Sequence, residues 1–298
     1  MDLARRPTTS MLAHLRWRYP HDAGGERCAM RDRIVVKWGG GLITEKSELK
    51  TVNKEVIERL ASELHEVLNN GVDVVLVHGA GSFGHLKAKQ YRLAEGRQSS
   101  GVGGPLSQDE AVDAVRRDMI ELNDHVMAAL TSEEISAVRL PPHDWVHGTG
   151  LDFEANFDLF RSAPNGIVMV TFGDVVSTDS PEDFGILSGD DIVARLVMEL
   201  DNVQRLVFAM GGVDGVLRMA PVVGQPQALI KELTPTSLFE GEHATEMDVT
   251  GGIGLKVQRG FEAAKFGCDV VLINGEVPGR FSTACMGLPV LGTRLTTE

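Results

Sequence analysis

Short apolar runs and longer amphipathic stretches alternate along this chain. β-Branched and aliphatic runs bounded by turn residues lie at 34–36, 74–77, 167–170, 206–208 and 270–273, and each reads as a buried strand. Helical patterns fall between them, the clearest at 53–68, 108–130, 190–200 and 252–266. The first puts Val56, Ile57, Leu60, Leu64 and Leu68 on one face, with charges opposite. This alternation predicts an α/β fold with a mostly parallel sheet and helices on both faces. Two glycine-rich stretches interrupt it, at 96–105 and 211–224, and the former reads as a mobile surface loop. Neither an internal repeat nor a linker between independent domains is visible.

Composition narrows the function classes. The 298 residues carry 29 Lys+Arg against 42 Asp+Glu, a formal charge of −13. That balance argues against nucleic acid or a membrane surface as partner. An anion site must then be a local gathering of lysines and backbone amides in a negative field. No apolar run approaches the roughly 18 residues of a membrane-crossing helix. Cys28, Cys268 and Cys285 are scattered and form no Cys-x-x-Cys, which fits a reducing, cytoplasmic setting. Residues 1–32 read as a disordered N-terminal extension. Its arginines (Arg5, Arg6, Arg16, Arg18, Arg27) are interrupted by Asp2, Asp22 and Glu26, and it has no apolar signal core.

Four segments carry candidate chemistry. In the first, Lys37-Trp38-Gly39-Gly40-Gly41 follows a strand, where three glycines can turn N–H groups toward phosphate oxygens. Lys37 is costly to bury unless an anion sits beside it; the alternative is a tight turn with a snorkelling lysine. In the second, Gly79-Ala80-Gly81-Ser82-Phe83-Gly84-His85 has the spacing of a dinucleotide fingerprint but lacks the acidic residue about 20 positions on, so that reading fails. His85 is expected to open a short helix with Lys87 and Lys89. A Walker A loop also fails, because Glu45 precedes Lys46-Ser47 where glycine is required. The third segment pairs Phe172-Gly173-Asp174-Val175 with Ser188-Gly189-Asp190-Asp191. There Ser188 or Asp190 can cap a helix, and the acidic pair can hold Mg²⁺ or orient lysines. The fourth, Thr250-Gly251-Gly252-Ile253-Gly254-Leu255-Lys256, is either a capped helix start or a second phosphate site with its own lysine.

With these residues in this order, about 33–295 resembles the amino acid kinase superfamily. Gly-Ser-Phe-Gly-His at 81–85 and Ile43-Thr44-Glu45-Lys46 resemble the isopentenyl phosphate kinase family within it; fosfomycin kinases share the histidine motif. Gly41 stands where that family usually has serine, Ala80 where it has glycine, and Trp38 where it has an aliphatic residue.

The resemblance implies a three-layer αβα sandwich with an open sheet, closed by a strand at 290–293. It implies an acceptor-binding lobe at about 33–180 and a nucleotide-binding lobe at about 181–298. The implied activity is ATP-dependent phosphorylation of isopentenyl phosphate, with Mg²⁺ bridging the nucleotide phosphates, no side-chain metal ligand, and a homodimeric assembly. Lys37, Lys46, Lys256 and Asp190 are then the catalytic residues, and Gly41, Ala80, His85 and Gly173 meet the acceptor. Lys37, Gly39, Gly40, Gly81, Asp214, Gly215, Gly252 and Lys256 meet ATP. An apolar slot for the acceptor would draw on Leu86, Tyr91 and the face of 112–119. A kinase for fosfomycin or another small phosphate or phosphonate, and a non-catalytic nucleotide or oxyanion binder on the same fold, stay open as alternatives.

Overall fold

Alternation along the first strand, β1 (Arg33–Trp38), builds the layers. Ile34, Val36 and Trp38 enter one hydrophobic core and Val35 a second, on opposite faces of the strand. The same alternation puts Lys37 on the side of Val35. The structure, a computed structural model, describes residues 31–45, 48–99, 102–218, 228–236 and 252–297. The expected extension up to residue 30, Lys46, Thr250 and Gly251 lie outside the described residues.

After β1 come α1 (Gly40–Ile43), α2 (Lys54–Leu68), β2 (Asp73–His78), α3 (Gly81–Gln90), α4 (Gln108–Ser132) and β3 (Ala137–Arg139). Short pieces follow: α5 (Pro142–Trp145), β4 (Val146–His147), β5 (Glu154–Ala155), α6 (Asp158–Arg161), β6 (Val168–Phe172), β7 (Asp174–Ser177) and β8 (Phe184–Leu187). The chain continues through α7 (Gly189–Glu199), β9 (Val203–Met210), β10 (Glu232–Leu233), α8 (Gly252–Ala264), β11 (Asp269–Asn274), α9 (Arg280–Cys285) and β12 (Gly292–Leu295).

Eight strands, in the order β10-β12-β11-β9-β1-β2-β6-β3, make the main sheet. Its pairs are parallel except β11–β12. Helices α2, α4 and α9 bury their apolar faces in the core that holds Val36, while α7 and α8 bury theirs in the core that holds Val35. Three layers result, as expected for an open α/β sandwich. Trp38 fills the first core, edge-on to Phe281 with ring centroids 6.1 Å apart.

Three features differ from expectation. A second sheet, β5-β4-β7-β8, is present; its strands of two to four residues are too short to show a period. Helix α3 begins at Gly81, so His85 lies a full turn inside it rather than at its start. The described part of the 96–105 stretch is held in place: Gln108 donates to the carbonyls of Tyr91 (3.0 Å) and Gly96 (3.2 Å) and accepts from the Gln98 N–H at 2.9 Å. Tyr91, a candidate for the acceptor slot, is buried and accepts from the Leu106 N–H at 3.3 Å.

His78 closes β2 with no solvent exposure, stacked on Phe172 at 5.0 Å. Its Nδ1 lies 3.1 Å from the Gly79 carbonyl, which can only accept, so Nδ1 carries the proton and Nε2 accepts from Asn123 at 3.0 Å. Burial pushes its pKa down to about 4, against a partial offset from the Gly79 carbonyl. The unfolded chain therefore takes up a proton here near pH 6.5 that the folded chain refuses until about pH 4. The contribution of this group to stability is full above that window and is lost as pH falls through it, by about 1.4 kcal/mol per unit. In denaturant unfolding at pH 7 and pH 5, His78→Gln should lose less stability on acidification than the natural protein does. An equal loss would contradict this assignment.

Candidate active site

The glycine loops open at one edge of the main sheet, the carboxyl ends of its parallel strands, where open α/β sheets bind ligands. Each is tied to its neighbour through the backbone. The Gly39 N–H donates to Ala209 (2.8 Å), Gly79 to Trp38 (2.9 Å), Gly173 to His78 (3.1 Å) and Gly275 to Met210 (2.8 Å). The Gly39 N–H, expected to meet a phosphate, is thus spent on the sheet. Gly40 and Gly41 open α1, where first-turn N–H groups have no intrahelical acceptor.

The first two loops interlock. A Cβ on Gly40 would run into the Gly81 nitrogen and stand 2.8 Å from its Cα, and one on Gly79 would stand 3.0 Å from the Gly40 Cα. Gly81 itself has φ +50, a left-handed conformation that suits glycine. Glycine is required here for backbone-to-backbone contact as well as for any ligand.

Lys37, from β1, meets α7 on the second face of the sheet. Ser188 is the N-cap of α7, its hydroxyl accepting from the Asp190 N–H at 3.1 Å, so Asp190 is left free of capping. Asp190 instead pairs through Oδ1 with Lys37, while its Oδ2 lies 3.4 Å from Lys256 Nζ on α8. Lys256 also donates to the Gly252 carbonyl at 3.2 Å. Burial works to raise the Asp190 pKa, but the two lysines outweigh it and hold the carboxyl below its usual range. Two cations on one buried carboxylate leave this spot net positive in a chain of charge −13. Next to it Asp191 pairs with Arg259 at 2.5 Å; burial pushes its pKa up, with Arg259 opposing.

The other expected residues gather around these loops. Ala80 is the N-cap residue of α3, and His85 is half-buried one turn into that helix. A Cβ on Gly173 would stand 3.2 Å from the Gly189 nitrogen, which places Gly173 beside the start of α7. Asp214, past the end of β9, pairs with Arg280 of α9 at 2.5 Å. A Cβ on Gly215 would stand 2.9 Å from the Thr293 nitrogen, so this glycine lets the loop pack on β12. Of the expected slot residues, Leu86 is exposed, while Val112, Val115 and Met119 lie in the core.

Sequence reasoning missed several supporting residues. Glu63, buried on α2, accepts from the N–H groups of Gly279 and Ser282, both at 3.0 Å, and from Arg59 at 2.6 Å. It thereby anchors the helix that carries Arg280. His143 lies 2.5 Å from the buried Asp174, the residue after Gly173. Apart from Arg59–Glu63, an i,i+4 pair, no sequence period marks these partners, which are separated by up to 219 residues. Among the described residues, no group of three His, Cys, Asp or Glu side chains is placed to hold a metal ion, and Asp190 is already taken by two lysines.

Fold and loops together define a small-molecule kinase architecture. Residues 32–274 match the amino acid kinase family, and the chain belongs to that family. It sits among its isopentenyl phosphate kinases. The protein of that name from Methanothermobacter thermautotrophicus is 32% identical over 275 residues, covering 88% of this chain and 98% of its own. The one from Thermoplasma acidophilum is 32% identical over 256 residues, covering 83% and 94%. A crystal structure of an isopentenyl phosphate kinase superposes with a TM-score of 0.72 at 28% identity, covering 89% of this chain and all of the other. No helix among the described residues is long and apolar enough to cross a membrane.

Proposed function

We propose that this protein transfers the γ-phosphoryl group of ATP to the phosphate of isopentenyl phosphate, giving isopentenyl diphosphate and ADP. The observation that carries the reading is the convergence of Lys37 and Lys256 on Asp190, at the edge where two glycine loops interlock. The named activity of the relatives supports the choice of acceptor.

Phosphoryl transfer needs positioning and charge neutralisation more than covalent chemistry. Lys37 and Lys256 flank the transferring group, and Asp190 holds both ammonium groups in place. Gly40, Gly81 and Gly252 offer backbone N–H groups to the phosphates, and Lys46 adds charge to the transferring group. On the nucleotide side, Asp214 and Gly215 form the loop that Arg280 steadies. Mg²⁺, when bound, would neutralise charge on the nucleotide phosphates. Gly41 and Ala80 meet the acceptor through backbone groups, Gly173 lines its site with an N–H already spent on His78, and His85 hydrogen-bonds its phosphate. A phosphate with a second pKa of about 6 is largely ionised at pH 7, so no strong general base is required. A homodimer is the assembly this reading carries.

The acceptor assignment is tested by ADP release from ATP with isopentenyl phosphate, dimethylallyl phosphate, fosfomycin and no acceptor. Turnover confined to the isoprenoid phosphates is expected. Turnover with fosfomycin alone would move the protein to phosphonate chemistry, and tight ATP binding without turnover would make it a binder. His85→Gln should raise KM for isopentenyl phosphate about tenfold, the worth of one charge-assisted hydrogen bond, with kcat less affected. An unchanged acceptor KM would place the phosphate elsewhere.

A further inference from the structure

Thr44, immediately after α1, touches both interlocked loops. It is 2% exposed. Its hydroxyl donates to the Gly40 carbonyl at 2.8 Å and accepts from the Ser82 N–H at 3.0 Å. One oxygen therefore ties the loop after β1 to the first turn of α3. Gly81 shows how closely the pieces fit, since a Cβ there would strike the Thr44 hydroxyl and stand 2.6 Å from the Gly40 oxygen.

The segment beyond Thr44 holds Ser82 from the other side. Thr44 bridges to Val52, and the Glu45 N–H donates to the Thr51 carbonyl at 2.9 Å. The Thr51 N–H donates to the Ser82 hydroxyl at 3.3 Å, and the Lys50 N–H to the Ser82 carbonyl at 3.4 Å. Lys50 takes φ 54, uncommon for a residue with a side chain, and its ammonium is held 3.0 Å from Asp118 on α4. Such a backbone persists where its surroundings over-determine it.

We propose that Thr44 is a positioning residue whose hydroxyl sets the separation of the donor-phosphate and acceptor-phosphate loops. This rests on the kinase reading above, in which Gly40 on the first loop serves the nucleotide, while Ala80 and His85 on the second serve the acceptor. In-line transfer requires the reacting oxygen within about 3–3.5 Å of the phosphorus, and a misplacement of about 1 Å costs on the order of 10²-fold in rate. Either loop can still bind its own ligand when the tie is cut; what is lost is their mutual register.

The test compares Thr44→Val, which keeps the shape and removes the hydroxyl, with Thr44→Ser, which keeps the hydroxyl. Thr44→Val is expected to lower kcat by on the order of 10²-fold while each KM changes by less than about threefold. Thr44→Ser should restore most of the rate. A merely structural threonine would instead move both KM values along with kcat, or would not be rescued by serine.

Amide hydrogen exchange at Ser82 gives a readout that needs no turnover. A first-turn N–H lacks an intrahelical acceptor, and the acceptor of this amide is the Thr44 hydroxyl. It should be protected in the natural protein and in Thr44→Ser, and exchange roughly tenfold faster in Thr44→Val. An unprotected Ser82 amide in the natural protein overturns the tie, whether or not the variants fold. Natural kcat in a folded Thr44→Val overturns its kinetic role. If the natural protein fails to turn over isopentenyl phosphate while Ser82 is protected, the acceptor reading falls and the tie stands.

Discussion

Lys37→Met is expected to lower kcat by on the order of 10²–10³, the loss typical of one oriented donor to developing charge. Methionine keeps the unbranched stem and removes the charge, so packing around β1 is largely preserved. Asp190 would then keep Lys256 alone. The converse variant, Asp190→Asn, removes the buried carboxylate that Lys37 and Lys256 share. Removing one member of a buried pair typically costs about 3–5 kcal/mol, so this variant should be the less stable as well as slow. The double variant should be less destabilised than the two single losses added together, because Lys37→Met removes one of the ammonium groups that Asp190→Asn leaves behind. Steady-state kinetics and denaturant unfolding on the three variants check this. Additive stability losses would show that the two side chains are not coupled, and a natural kcat in Lys37→Met would show a structural ion pair away from the reaction.

Gly40→Ala should be the most damaging change of a single methyl group. The atoms a Cβ would meet are the nitrogen and Cα of Gly81 and, at 3.1 Å, the nitrogen of Ala80, all of them backbone. No flexible side chain can swing aside to relieve the overlap, so the two loops must separate. Separation breaks the register on which transfer depends, and a loss of kcat/KM above about 10²-fold is expected together with a lower Tm. Gly103→Ala is the matched control, since a Cβ there meets nothing within 4 Å. Near-natural activity in Gly40→Ala would mean that the loops tolerate a wider spacing than the fold shows.

The central strands were legible because they are buried on both faces and therefore read as continuous aliphatic runs, as in β1, β2 and β11. The helices α2 and α4 were legible from their apolar stripes; the Ser107 capping box marks the start of α4. The second sheet was not, because strands such as Val146–His147 offer no run for a period to act on. Lys37 could be singled out because an ammonium in a buried strand needs an anion, and Asp190 because two acidic residues open that helix where capping needs at most one. Thr44, Glu63 and Arg280 could not. Their roles come from partners 38, 219 and 66 residues away that only the folded chain brings near.

The most direct test of the account follows the phosphorus atoms themselves. In ³¹P NMR of the protein with ATP, Mg²⁺ and isopentenyl phosphate, the monophosphate signal should give way to the two coupled signals of a diphosphate ester at the rate that ADP appears, and Lys37→Met should slow both together. Inorganic phosphate appearing in place of the diphosphate, or an unchanged acceptor signal while ATP binds, would contradict it.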